Sequence, residues 1–241
     1  MNRRVLLVED DASITRFIGM ALEDLGVDLV LCADVECALV ALQEQPARLI
    51  ITDLMLPGLS GFDLLRRLQA DPALHGAAKV AIFSAGINAA ALAQLEPLPV
   101  WRILRKPASV AQLQGCVQDA LAGPAGLAPA VAQVPAPAGE AVNDADAIAT
   151  YFAGNAALFH AYRAKCLVQF AHDLVVGDGA LGAGDLPALQ RLSHSLATVF
   201  CTLGWQADSA VAKGLEASAA QGDAQACAAA WHQVRARLAQ G

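Results

Sequence analysis

Basic charge is scarce in this chain. Sixteen lysines and arginines stand against 23 aspartates and glutamates, giving a formal net charge of −7 over 241 residues. The deficit divides as −4 for residues 1–122, −1 for 123–142 and −2 for 143–241, so no segment offers the basic footprint of a nucleic-acid binder. The six cysteines (Cys32, Cys37, Cys116, Cys166, Cys201 and Cys227) form no CxxC pair and show no His/Cys ligand spacing. That removes the zinc and dithiol readings and leaves ordinary thiols of a reducing cytoplasm. No uninterrupted apolar stretch reaches membrane-spanning length. The short apolar run after Arg3-Arg4 is broken at once by Glu9-Asp10-Asp11, which excludes a secretory core. The expectation is a cytoplasmic protein with neither a membrane nor a nucleic acid as its partner.

What the chain has is apolar residues, 56% of the total, enough for two ordinary domains with separate cores. Over residues 1–122, short Val/Ile/Leu-rich runs alternate with amphipathic stretches. Strands are predicted near 4–8, 28–32, 48–52, 79–83 and 100–104, and helices near 12–25, 35–45, 61–70, 88–95 and 109–121. Five βα repeats predict a parallel sheet covered by helices on both faces. Residues 123–142 are Ala/Pro-rich, almost uncharged and without strand or helix period, and read as a semi-extended linker. Helical runs near 144–153, 156–176, 185–203, 206–221 and 223–240, separated by glycine breaks, predict an all-α antiparallel four-helix bundle over 143–241.

Carboxylates fall where such a sheet binds ligands. Leu49-Ile50-Ile51-Thr52 runs into Asp53, and Val5-Leu6-Leu7-Val8 runs into Glu9-Asp10-Asp11. Val80-Ala81-Ile82-Phe83 runs into Ser84, and the run from Val100 to Leu104 into Arg105-Lys106-Pro107. In an open parallel sheet the carboxyl ends of the strands line the ligand crevice, so acids, a hydroxyl and a lysine converge there. Each position has a plainer explanation taken alone: Asp10-Asp11 as a helix cap, Asp53 as the start of a turn, Lys106-Pro107 as the opening of the last helix. Their recurrence at four strand ends favours a site.

This set resembles the receiver domain of two-component response regulators, over Met1 to about Leu121. The resemblance implies a flavodoxin-like sheet of order 2-1-3-4-5 and a phosphoryl group accepted on Asp53. It implies magnesium held by Asp10, Asp11, Asp53 and the Met55 backbone carbonyl, with Asp11 and Asp53 dominant, and phosphoryl oxygens contacted by Ser84 and Lys106. Such a domain catalyses only its own phosphorylation and dephosphorylation. The family's usual aromatic residue three positions before the lysine is replaced here by Ile103, with Trp101 two residues earlier. A dehalogenase-type phosphatase would need a second aspartate where Met55 stands.

In the helix predicted at 185–203, Leu189, Leu192, Leu196, Val199, Phe200 and Leu203 fall on one side. His194 lies nearly opposite them and is expected to face solvent or a partner. Residues 191–204, Arg-Leu-Ser-His-Ser-Leu-Ala-Thr-Val-Phe-Cys-Thr-Leu-Gly, together with 214–223 and Tyr151-Phe152-Ala153-Gly154-Asn155, resemble histidine-phosphotransfer (HPt) domains. The resemblance makes His194 the phosphoryl carrier. Two positions depart from it: Ala197 replaces the usual lysine and Thr198 the usual glycine. The expected function is a two-component phosphorelay protein whose partners are a sensor histidine kinase, other receiver domains, or both. The alternative is a phosphorylation-gated docking protein whose HPt-like domain carries no phosphate.

Overall fold

The computed structural model describes residues 2–85, 87–122, 132–134 and 143–240. It divides into two compact units, Met1–Pro137 and Ala138–Gly241.

The first unit begins β1 (Arg4–Val8), α1 (Ala12–Leu22), a single 3-10 turn, β2 (Asp28–Cys32), α2 (Val35–Glu44) and β3 (Leu49–Thr52). It continues α3 (Gly61–Ala70), α4 (Pro72–His75), β4 (Lys79–Ser84), α5 (Ala89–Leu95), β5 (Arg102–Arg105) and α6 (Val110–Ala122). All strands pair in parallel, with β2-β1-β3-β4-β5 in the predicted order. Every residue of β1, β3 and β4 is buried, as expected for inner strands covered on both faces. Strand β2 is partly exposed and forms one edge.

Two differences from the sequence reading arise here. The four-residue α4 was not expected; Asp71 caps it and Pro72 opens it, with Asp71 accepting bonds from Ala73 and Leu74 N–H. A sixth strand, β6 (Ala132–Val134), pairs in parallel with β5, with Ala132 in register with Arg102 and Val134 with Leu104. Pairing at a sheet edge needs only an extended backbone and imposes no side-chain period, so composition gave no sign of it. β5 is therefore an inner strand, and Ile103 is fully buried. The rest of the predicted linker, 123–131 and 135–142, lies outside the described residues.

The second unit opens with α7 (Asp144–Tyr151), then α8 (Ala156–Ala183), α9 (Leu186–Thr202), α10 (Gln206–Gln221) and α11 (Ala224–Gln240). The last four form a closed ring in which α8 meets α9, α9 meets α10, α10 meets α11 and α11 meets α8. Phe170, Phe200 and Trp205 pack with ring centroids 5.8–6.0 Å apart inside it. The Tyr151 hydroxyl, 3.3 Å from Cys201 Sγ, ties α7 to α9.

Helix α8 runs a full turn and more past the predicted stop at residue 176, through three glycines, to a left-handed cap at Gly184. Among the described residues no helix is long and apolar enough to cross a membrane.

Candidate functional site

Register brings the site together. Val8 pairs with Thr52, so the next residues, Glu9 and Asp53, emerge side by side at the sheet's carboxyl edge. The Asp53 N–H donates to Val8 O at 3.0 Å and fixes that alignment. One strand further, Ser84 closes β4, and its carbonyl accepts from the Lys106 N–H at 3.1 Å. Lys106, following β5, then reaches back across the sheet.

Its ammonium lies 2.8 Å from Asp53 Oδ2 and 2.6 Å from Glu9 Oε2. All three residues are buried, at 6%, 2% and 4% exposure. The other Asp53 oxygen, Oδ1, accepts from the Leu54 and Met55 N–H groups at 2.5 and 3.3 Å. Ser84 is buried at the same edge, and the Phe83 ring lies 5.1 Å from the Lys106 nitrogen. Asp53, Ser84 and Lys106 thus stand where the strand-end reading placed them.

The loop after Asp53 is held by close backbone approach. A Cβ on Gly61 would fall 2.0 Å from the Asp53 carbonyl oxygen, so only glycine lets α3 begin this near to it. Ser60 and Asp63 form a capping box that starts α3 at that point. The hydrogen bonds from Ser60 hold the Asp63 carboxyl below its usual range.

The acidic group differs from the one expected. Asp11 caps α1, its Oδ1 accepting from the Ile14 N–H at 2.8 Å, and Glu9 takes the buried position against Lys106. Glu9, outside the expected set, is thus the carboxylate that shares Lys106 with Asp53, while Asp11 serves as the cap. The cause is local: α1 begins at Ala12 and its orphan N–H groups recruit the preceding aspartate. Asp10 is an exposed residue, yet burial of its carboxyl raises its pKa, with Lys106 opposing.

One ammonium faces two buried carboxylates, and it can neutralise only one of them. Burial pushes the Glu9 carboxyl up to about 8; Lys106 works against that shift and Asp53 adds to it. Burial also disfavours the Lys106 charge, but Asp53 and Glu9 together hold its pKa above the usual lysine value.

A raised folded-state pKa means that Glu9 contributes stability fully below its ordinary value of 4.5 and loses that contribution as pH rises through about 8. Urea midpoints measured in chelator-containing buffer are expected to fall for the wild-type chain, relative to Glu9→Gln, between about pH 5 and about pH 8. Parallel pH profiles for the two proteins would contradict this account of the pocket.

The donor set fits a hard divalent cation in its chemistry, being carboxylate and carbonyl oxygen throughout. Among the described residues, however, no three His, Cys, Asp or Glu side chains stand at metal-holding distance of one another. Glu9 and Asp53 close instead on Lys106.

In the second unit, His194 is not where the helical wheel put it. It is 3% exposed, and its Nδ1 lies 2.8 Å from Glu216 Oε1 on α10. The wheel allowed for one buried face, whereas α9 packs between α8 and α10. Small residues, Ser193 and Ala197, admit α10 to the flank beside the histidine, where Ser209 Oγ donates to Ala197 O at 2.7 Å. Thr198, buried one turn on, donates from Oγ1 to His194 O at 3.4 Å. The Glu216 carboxylate thus engages Nδ1, leaving Nε2 as the ring's other nitrogen. Glu216 was not singled out from the sequence, although it stands within the HPt-like run at 214–223.

Residues 5–118 match the model of the response regulator receiver domain. The chain is similar to the DNA-binding response regulator MtrA of Mycobacterium tuberculosis (strain ATCC 25618 / H37Rv), 41% identical over 71 residues, 30% of this chain and 31% of that protein. It is also similar to the response regulator receiver protein CpdR of Brucella abortus (strain 2308), 38% identical over 73 residues, 30% of this chain and 61% of that one. The chain spans about a third of the length of the MtrA relatives it matches. A solved structure, the receiver domain of sensor histidine kinase PA1611 from Pseudomonas aeruginosa PAO1 with a magnesium ion in its active site cleft, matches with a TM-score of 0.47. It is 24% identical, over 51% of this chain and 100% of that one.

Proposed function

From the response regulator receiver domain that residues 5–118 form, we propose that this chain is a phosphorelay protein that accepts a phosphoryl group on Asp53 and carries or exchanges one on His194. The observation that carries the first half is the Lys106 ammonium, shared by Asp53 and Glu9 at the ends of neighbouring strands.

A carboxylate attacks phosphorus only when the repulsion between anions is offset, so the work of the site is positioning and charge neutralisation. The Leu54 and Met55 N–H groups hold Asp53 Oδ1, leaving Oδ2 to form the new P–O bond as the donor's leaving group departs with its electron pair. Lys106 then exchanges its Asp53 contact for a phosphoryl oxygen, and the Ser84 hydroxyl donates to another. Glu9, Asp10, Asp53 and the Met55 carbonyl would hold Mg2+, with Asp11 left to its cap. The ion supplies positive charge to the phosphoryl oxygens.

Our reading makes a sensor kinase or other receiver domains the partners and places the protein in the cytoplasm. We assign no nucleic-acid partner: the match to MtrA covers 71 residues, 31% of that protein, and residues 143–241 carry a net −2.

One observation favours a second reading, a docking protein whose histidine carries no phosphate: His194 is 3% exposed. The experiment that separates them loads a panel of receiver domains with labelled phosphoryl groups and adds the full chain in wild-type and His194→Gln forms. Acid-labile, base-stable label on the wild-type chain alone is the expected result. Absence of phosphohistidine with every receiver in the panel would leave the docking reading in its place.

A further inference from the structure

We propose that Lys213 is the residue that neutralises a phosphoryl group on His194, taking over from α10 the role that Ala197 cannot fill on α9; the inference rests on the phosphotransfer reading above. A phosphorylated imidazole brings close to two negative charges into a helix-lined site. One turn beyond His194, where a lysine would meet that charge, stands Ala197, 4% exposed and without a polar atom in its side chain.

Two contacts fix how α10 lies against α9. Ser209 Oγ donates to Ala197 O at 2.7 Å, and Glu216 lies 2.8 Å from His194 Nδ1. The helices are therefore antiparallel here: advancing from 209 to 216 along α10 moves back from 197 to 194 along α9. Lys213 stands between these two anchors, four residues after one and three before the other, on the same strip of helix surface. Its four-carbon stem starts between the levels of Ala197 and His194, and packed helix axes are only about 8–10 Å apart.

The ammonium is not otherwise engaged. Lys213 is exposed and is paired with no carboxylate among the described residues, while its helical neighbour Glu216 is taken up by His194.

Arg191 is the other cation near His194, one turn before it. At 100° per residue it lies about 60° to one side of the histidine, whereas Ala197 lies about 60° to the other, the side on which α10 packs. It cannot fill the same space.

In the transfer, His194 Nε2 forms the new N–P bond while the donor's bond to phosphorus breaks and its electron pair leaves with the donor. The Nδ1 proton stays between the ring and Glu216. Lys213 changes no bond; it offsets the charge that arrives.

The test uses the full chain carrying Asp53→Asn, so that no acyl phosphate forms on that residue, with phosphoramidate as the donor and phosphohistidine followed by 31P NMR. Lys213→Gln is expected to slow its appearance about five- to tenfold, and Lys213→Arg to leave it near the starting rate. A rate kept by Lys213→Arg and lost in Lys213→Gln is the mark of charge, which a merely structural role for Lys213 would not give. Arg191→Gln serves as the control, within about twofold of the starting rate. Phosphohistidine forming at an undiminished rate in Lys213→Gln, or a rate slowed equally in Lys213→Arg, would overturn the role of Lys213 and leave the phosphotransfer reading intact. No phosphohistidine with Lys213 in place would overturn both.

Discussion

Lys106→Met is expected to lower magnesium-dependent labelling by acetyl phosphate about a hundredfold and to destabilise the receiver unit by about 3 kcal/mol. Both effects come from one atom. The ammonium sits 2.6 Å from Glu9 and 2.8 Å from Asp53 in a pocket where all three residues are buried. Without it, two carboxylates are left in a desolvated space with no cation between them. Removing one partner of a buried ion pair costs more than the pair contributes in net terms, because the remaining charge has lost both water and partner. Glu9 relieves part of that cost by holding its proton, so Lys106→Met with Glu9→Gln is expected to recover stability but not labelling. Acetyl-phosphate labelling and urea titration of the three proteins separate the two effects. Full labelling of Lys106→Met would remove the lysine from the mechanism.

Gly177→Ala is expected to destabilise the helical unit by roughly 3 kcal/mol, against the usual direction of such a change. Replacing a mid-helix glycine by alanine normally stabilises by about 1 kcal/mol. Here a Cβ would fall 2.0 Å from Trp231 Cη2 and 2.2 Å from Cζ2. The ring cannot simply turn away, since its Nε1 donates to Asp178 Oδ1 at 2.9 Å and Trp231 is almost fully buried. Overlap with a pinned aromatic ring outweighs the propensity gain. Gly179, two residues on in the same helix, has nothing within 4 Å of its Cβ position, and Gly179→Ala is expected to stabilise. Opposite shifts of the bundle's thermal midpoint for these two variants are the result to look for; stabilisation by both would contradict the packing described.

The glycines of α8 also illustrate what the sequence could convey. Three glycines in six residues read as a helix break by composition, and only the tryptophan two turns into α11 explains why one of them must be a glycine. Asp53, Ser84 and Lys106 were legible because each follows an apolar strand run, and parallel strands align their carboxyl ends. Glu9 was legible by the same rule, since it is the residue after Val8. It was passed over in favour of Asp10-Asp11, although counting register from Val8 against Thr52 points to it. That Asp11 caps α1 is among the plain alternatives, and its Oδ1 accepts from the Ile14 N–H at 2.8 Å.

His194 is the opposite case. A wheel drawn for one helix cannot show which flank a second helix will cover, and the burial of this histidine depends on Ser193 and Ala197 being small and on Glu216 arriving from α10. Strand β6 escaped for a related reason, because backbone pairing at an edge leaves no mark in side-chain period.

The central claim is that Asp53 is the phosphoacceptor, and the most direct measurement is chemical. The full chain is incubated with acetyl phosphate and Mg2+, reduced with borohydride so that an aspartyl phosphate becomes homoserine, and digested for mass spectrometry. The account predicts homoserine at position 53 in the wild-type chain, dependent on magnesium, and none anywhere in Asp53→Asn. Homoserine at Glu9's neighbours Asp10 or Asp11 in place of Asp53, or an unmodified Asp53 peptide beside a labelled chain, would contradict it.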